Sequence, residues 1–391
     1  MEIASKKELC SGCRLCEEVC PKACISFEKD KEGFLYPEIG DACIKCGLCE
    51  KKCPVLGTPL KHLADEGYMA FSNDKSLRMK ASSGGIFGEI SKWVIGNGGV
   101  VFGAELDQKL KLVWGMADTE SKLEGLYKSK YIQCDMQGFY KAVKSQVESN
   151  RLVLVSSAPC NIAALRNYLG KDYDNLILLD FVCHGVPSQD FFDKCMKYYK
   201  DSCGKEILKY SFRAKKKSAS STKLFEIKYI RNGRMKKKTD FYLNDPFYSA
   251  FQKRISLRPS CYECKFAEEK RVSDITMGDF HTIEKYCKGI DRMDGVSMVL
   301  LNTEKGKNVF SKIKGGLSIQ RFAVDVLANN NECLKGAAKC PADRVEFFDM
   351  LENDGVEGLL KNMLKPSKAA LVYYSLPKIV RKILKRLVLG E

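Results

Sequence analysis

Cys10-Ser11-Gly12-Cys13-Arg14-Leu15-Cys16-Glu17-Glu18-Val19-Cys20-Pro21 and Cys43-Ile44-Lys45-Cys46-Gly47-Leu48-Cys49-Glu50-Lys51-Lys52-Cys53-Pro54 are two copies of one run, C-x2-C-x2-C-x3-C-P. Soft thiolates at this spacing suit a cube of iron and sulfide, because short C-x2-C turns supply three ligands from one loop. The fourth comes from elsewhere, and where two such runs share a chain the last cysteine of each ligates the other cluster. The runs therefore predict one [4Fe-4S] centre on Cys10, Cys13, Cys16 and Cys53, and a second on Cys43, Cys46, Cys49 and Cys20. Proline after each crossing cysteine fixes φ and stops a helix from carrying the thiolate away. Zinc ribbons also use C-x2-C pairs, but two pairs per ion rather than four-cysteine runs followed by proline. Cys24, one turn beyond Cys20, fits neither set and reads as a small buried apolar residue.

The chain has 391 residues, so removing this segment leaves enough for two further domains. Apolar residues at 45% and charged residues at 29% describe an ordinary globular composition with a sizeable core. Nineteen cysteines, with no apolar stretch from Met1 to Cys10, point to a reducing, cytoplasmic setting and to metal rather than disulfides. No run of 18 apolar residues is present to span a bilayer. The net charge of +16 is unevenly placed. Residues 1–60 hold 9 basic and 10 acidic residues, Arg213 to Lys238 hold 11 basic residues against Glu226 alone, and Lys365 to Glu391 hold 7 against one. Such blocks suit an acidic protein, an acidic lipid surface or a phosphorylated small molecule. Nucleic acid is the weakest of the candidate partners and none is expected, since no recognisable nucleic-acid-binding signature accompanies the blocks and most charge runs are solvated faces.

After a linker over residues 56–67, Tyr68 to Ser72 reads as a strand, and Ser82-Ser83-Gly84-Gly85 leads into an amphipathic helix from Ile86 to Ile95. Serine at the cap and glycine in the first turn leave N–H groups open to an anion such as a flavin phosphate, or merely cap the helix. Arg151 to Ser157 and Leu176 to Val182 are apolar strands ending at Cys160 and Cys183, with helices after each. Alternation of this kind predicts an α/β domain with a mostly parallel sheet, with ligands at the carboxyl ends of its strands. Beyond Lys205, Leu224 to Arg231 and Met235 to Tyr242 flank Asn232-Gly233, a hairpin carrying the large basic block. Cys287, Cys333 and Cys340 read as structural thiols. Leu376, Ile379, Val380, Ile383, Leu384, Leu387 and Val388 form one helical stripe between basic residues. That helix is suited to peripheral contact with an acidic membrane surface, to a partner, or to its own domain.

Cys160, Cys183 and the pair Cys261 and Cys264 remain in loop positions and would make a third set of four thiolates, for iron, for zinc, or as unligated thiols. With Ser82 to Gly85, Ala158-Pro159-Cys160-Asn161, Cys183-His184-Gly185-Val186-Pro187, Arg258-Pro259-Ser260-Cys261 and Asp274 to Phe280 in this order, the chain resembles the coenzyme F420 hydrogenase/dehydrogenase beta-subunit family, over about residues 68–321, with a fused dicluster ferredoxin. The resemblance implies a third [4Fe-4S] cluster on Cys160, Cys183, Cys261 and Cys264, and FAD at Ser82, Ser83, Gly84 and Gly85. His184 is the candidate to hydrogen-bond the inner cluster or flavin, or else a packed loop histidine. The chain departs from the family at Ala158 and Asn161, where Thr and Gln are usual, and at His281, where an aromatic residue is usual. Both departures sit where a substrate would enter, which leaves the family's deazaflavin specificity open.

The expected fold is α+β. A bacterial-type dicluster ferredoxin domain (1–60) precedes an α/β flavin-binding domain (68–204), an α+β C-terminal region (205–325) and a helical basic extension (340–391). The expected activity is that of a flavin-dependent iron–sulfur oxidoreductase, fed by ferredoxin or a partner redox subunit and acting on an acidic or phosphorylated small molecule. The rival is a non-catalytic electron-transfer subunit. A radical enzyme cleaving S-adenosylmethionine lacks its C-x3-C-x2-C run here.

Overall fold

Val153–Ser156 and Leu176–Phe181, runs of Val, Leu and Ile, form adjacent parallel strands inside a large sheet. The structure, a computed structural model, describes residues 7–57, 59–215, 223–290, 292–376 and 380. Contacts divide the chain into one unit of residues 1–190 and 257–340, and another of residues 191–256 and 341–391.

Strands numbered along the chain are β1 (Ile25–Lys29), β2 (Leu35–Ile39), β3 (His62–Leu63), β4 (Glu66–Ser72), β5 (Val100–Leu106), β6 (Leu112–Ala117), β7 (Val153–Ser156) and β8 (Leu176–Phe181). They continue as β9 (Glu206–Ala214), β10 (Leu224–Arg231), β11 (Arg234–Phe241), β12 (Lys270–Arg271), β13 (Ile275–Asp279), β14 (Ser297–Leu301) and β15 (Leu317–Phe322). Among the described residues the first unit's main sheet has eight strands in the order β15-β4-β14-β13-β8-β7-β5-β6. Only the junctions β13–β8, β8–β7 and β7–β5 are parallel. The sheet is therefore mixed rather than mostly parallel. β4 inserts antiparallel between β14 and β15, and β6 folds back on β5 as a hairpin. Strand pairing across more than 200 residues leaves no local signature, so alternation of strands and helices overstated the parallel part.

Both faces of the sheet are packed. In β14, Val299 and Leu301 join Ile86, Ile90 and Val94 of the helix Ile86–Gly96, while Met298 and Leu300 join Phe280 and Leu327. The two-residue period puts alternate side chains into opposite cores, and burying each large one stabilises the fold by about 1.5–3 kcal/mol. The stretch expected to be a plain linker is partly ordered, with β3 pairing antiparallel to β12.

The N-terminal repeat is visible in the backbone. Gly12 and Lys45 sit at φ +67° and +52°, and Arg14 and Gly47 at +62° and +72°. Short helices Leu15–Glu18 and Leu48–Lys51 start directly after them. Each cysteine loop thus turns through two left-handed residues, and each copy places its glycine at a different one of the two. β1 and β2 pair antiparallel between the loops, with Ile25 opposite Ile39.

In the second unit β9, β10 and β11 form a sheet in the order β11-β10-β9. Asn232 and Gly233 both have positive φ, as a two-residue primed turn requires. The sheet packs on an aromatic cluster in which Phe192 and Phe247 meet edge to face at 5.0 Å. Helices Arg344–Asn353, Gly355–Asn362 and Lys368–Ser375 belong to the same unit. The loop 216–222 and, apart from Leu376 and Val380, the C-terminal basic stripe lie outside the described residues. Among the described residues no helix is long and apolar enough to cross a membrane.

Candidate functional site

Cys10, Cys13, Cys16 and Cys53 come together. Desolvation pushes the Cys13 thiol up to about 12, with Cys53 and Cys10 adding to the rise. Cys16 is raised by burial and then by Cys13, Cys10 and Cys53, and Cys53 is raised by burial with Cys10 and Cys49 contributing. Such mutual effects act only between near neighbours.

Around this loop the protein supplies hydrogen bonds from later in the chain. The Tyr140 hydroxyl donates to Cys13 O at 2.6 Å, and the Gln133 amide donates to Ser11 O at 3.2 Å. The Arg258 Nε donates to Cys10 O at 2.6 Å. Arg14 is held by Asp135 at 2.6 Å and Glu17 at 2.8 Å.

Cys20, Cys43, Cys46 and Cys49 line a cavity of about 160 Å³, together with Cys24, Ile25, Ile39 and Ile44. Cys24 departs from expectation. It is half-buried rather than a core residue, and its sulfur lies 3.4 Å from Cys20 Sγ. The spacing alone could not show this, because C-x3-C describes one turn of chain and not what that turn faces.

Cys160, at the start of the helix Pro159–Leu169 after β7, and Cys183, just after β8, sit at the carboxyl ends of adjacent strands. The Cys160 thiol is raised well above its ordinary value by burial, then by Cys264, Cys183, Cys261 and Cys13. Cys183 is raised by burial and by Cys261, with the Gly185 N–H donating to its sulfur at 3.4 Å. A Cβ on Gly185 would lie 3.0 Å from the Cβ of Cys261, so the two loops touch. Arg271, beside Cys264, is ion-paired with fully buried Asp180 at 3.0 Å and donates to Phe266 O and Glu268 O. Cys13 is thus a neighbour of both cysteine groups, with Tyr140 lying beside Cys13 and Cys160.

His184 Nδ1 lies 3.3 Å from Cys333 Sγ, and Cys333 also acts on Cys183. Cys333 is thus a buried core thiol, as expected, and also part of the surroundings of the inner group. Cys287 donates to Gln320 Oε1 at 3.1 Å, and Cys340 is exposed.

The Ser82–Gly85 turn differs from expectation in its capping. Gly85, at φ +94°, is the N-cap of the helix Ile86–Gly96, with no side-chain cap. Gly84 N–H donates to Ser297 Oγ at 2.9 Å, Ser83 Oγ donates to Val296 O, and Ser82 Oγ accepts from Ser129 N–H at 2.7 Å. A Cβ on Gly84 would sit 2.4 Å from Ala70 O, so this glycine is needed for close approach to β4. The N–H groups left to meet an anion are those of the helix's own first turn. Beside this turn, Lys130 Nζ donates to the carbonyls of Ala104, Gly125 and Tyr127 at 2.7–2.8 Å.

Among the described residues no group of three or more His, Cys, Asp or Glu side chains is arranged to hold a single metal ion. The fit of a cluster rests on donor chemistry. Buried thiols that raise one another resist ionising together, and a cationic iron–sulfur core supplies the counter-charge that lets them do so.

Residues 150–323 match the family described as the C terminus of the beta subunit of coenzyme F420 hydrogenase/dehydrogenase, a span that contains Cys160, Cys183, Cys261 and Cys264. Residues 9–56 match the 4Fe-4S dicluster domain. No curated protein matches the chain. Among solved structures, the F420-reducing [NiFe] hydrogenase complex from Methanosarcina barkeri, as a xenon derivative, is similar at 16% identity over 76% of this chain and 95% of that chain, with a TM-score of 0.46. Residues 9–56 are therefore a 4Fe-4S dicluster domain, and residues 150–323, somewhat under half of the chain, are similar to the C terminus of the coenzyme F420 hydrogenase/dehydrogenase beta subunit.

Proposed function

We propose that this chain is an iron–sulfur flavoprotein oxidoreductase that joins a one-electron donor to a two-electron organic acceptor. The observation that carries the proposal is the neighbourhood of Cys13 and Cys160, which brings the dicluster segment and the inner cysteine group within one compact unit. In this reading Cys10, Cys13, Cys16 and Cys53 hold one cluster, Cys20, Cys43, Cys46 and Cys49 a second, and Cys160, Cys183, Cys261 and Cys264 a third. Ser82 to Gly85 and the first turn of the following helix hold the flavin phosphate. When bound, the clusters supply single-electron steps and FAD the two-electron step. The chain's own residues enclose the thiolates and order their loops. The exposed strand β11 steers an acidic donor protein or phosphorylated substrate. Lys236 and Arg234 stand on it, while Lys237 and Lys238 pair with Glu226 at 2.9 Å and Asp240 at 2.6 Å.

Anaerobic purification with iron, sulfide and flavin analysis tests this. About 12 irons and one FAD per chain are expected from three cubane sites. Cys160→Ser is expected to lower iron to about 8 and leave the dicluster segment loaded. Eight irons and no flavin in the unsubstituted protein would favour the electron-carrier reading. Reduction of an organic acceptor by the purified chain with dithionite, without another subunit, separates enzyme from carrier.

A further inference from the structure

Arg258 is fully buried, and among the described residues no carboxylate lies within ion-pair distance of its guanidinium. All its partners are neutral. Nε donates to Cys10 O at 2.6 Å, one terminal nitrogen to Gln133 Oε1 at 3.0 Å, and the other to Leu35 O at 2.9 Å. The guanidinium lies over the Tyr36 ring at 4.2 Å and the Phe34 ring at 5.5 Å. A Cβ on Gly12 would come within 2.9 Å of its central carbon, so it packs directly on the loop from Cys10 to Cys13. An arginine cannot shed its proton to escape burial, and a buried charge without an opposite charge is costly. By contrast, Arg271, also almost fully buried, has Asp180 at 3.0 Å.

The backbone of the same residue joins the inner loops. Arg258 N–H donates to Val186 O at 2.9 Å, and its carbonyl accepts from Cys261 N–H at 2.9 Å.

We propose that Arg258 is the counter-charge and positioning residue of the N-terminal cluster held by Cys10, Cys13, Cys16 and Cys53, raising that cluster's reduction potential. The inference rests on the iron–sulfur reading above. A cubane with four thiolates is anionic and gains one further negative charge on reduction. A fixed cation in a low-dielectric surrounding therefore favours the reduced form, and net charge is one of the quantities that set cluster potentials.

The test is an EPR-monitored redox titration of the full chain, anaerobically reconstituted, as wild type, Arg258→Gln and Arg258→Lys, with iron counted in each. With full iron, Arg258→Gln is expected to make reduction of one centre at least tenfold less favourable, about 59 mV for one electron, and Arg258→Lys to restore most of that shift. Retention of iron by Arg258→Lys but not by Arg258→Gln also supports a requirement for charge. Full iron and unchanged potentials in Arg258→Gln overturn the proposal. Equal loss of iron in both variants overturns it as well, because lysine carries the same charge. Wild type that takes up no iron at all fails the iron–sulfur reading instead, a different result from any of these.

Discussion

Tyr140 and Cys13 are joined by a hydrogen bond of 2.6 Å from a fully buried phenol to a loop carbonyl, across 127 positions of sequence. Tyr140→Phe keeps the ring and removes the donor, leaving that carbonyl short of a partner at a cost of about 1–3 kcal/mol. The expected outcome is a lower urea midpoint and faster stripping of iron by a chelator. Unchanged values of both would show that water or another donor replaces the phenol.

Gly12 and Gly47 are both left-handed, but their surroundings differ. A Cβ on Gly12 would lie 2.3 Å from Gln133 Nε2, whereas nothing lies within 4 Å of one on Gly47. Gly47→Ala carries only the backbone strain of about 1–2 kcal/mol. Gly12→Ala adds overpacking of about 1–3 kcal/mol against Gln133 and Arg258. Urea unfolding of the two variants side by side is expected to rank Gly12→Ala as the more damaging, and equal losses would refute the steric argument.

Asp180 and Arg271 are buried together, and the Thr276 hydroxyl completes the carboxylate at 2.6 Å. Burial still raises the Asp180 carboxyl, with Arg271 opposing it. Arg271→Met leaves the acid uncompensated and is expected to destabilise the first unit by about 3–5 kcal/mol. It also frees the segment after Cys264, so iron per chain is expected to fall. Adding Asp180→Asn is expected to recover part of the stability. A double variant no better than the single one would count against the pairing.

Asp245 caps the helix Pro246–Gln252 from a buried position, accepting from Tyr248 N–H at 2.6 Å and from the Tyr199 hydroxyl at 2.8 Å. Burial lifts its carboxyl from 3.8 to about 6. Here the folded state holds the proton more tightly than the unfolded chain. Stability is therefore lost as pH rises from about 4 to about 6, and the cost, roughly 3 kcal/mol, is complete above that. Asp245→Asn removes the slope. Urea unfolding followed by tyrosine fluorescence is expected to show the variant gaining on wild type between pH 4.5 and 7, and a gap independent of pH would rule the effect out.

Features carried by short-range chemistry were legible in the sequence. Asn232-Gly233 announced its hairpin because only a few residue pairs tolerate two positive φ values, and the runs to Ser157 and Val182 announced β7 and β8 by composition. What the sequence hid was proximity. Cys24 looked like a buried filler thiol, and nothing near Cys333 in the chain reveals that this core thiol also faces His184. The mixed sheet was hidden for the same reason, as β4 pairs with β14 and β15 across more than 200 positions. At Ser82 to Gly85 the residue types pointed to a serine cap, but the hydroxyls of Ser82 and Ser83 are engaged by Ser129 and Val296. The cap falls to Gly85.

The loop from Cys10 to Cys13 receives its outside donors from Gln133, Tyr140 and Arg258, the last of them 248 positions downstream. During synthesis that loop leaves the ribosome long before any of the three exists. That loop therefore gains its full set of these hydrogen bonds only after residue 258 has been made. A fragment cut after Leu60 would lack the shell that encloses its own first four-cysteine run.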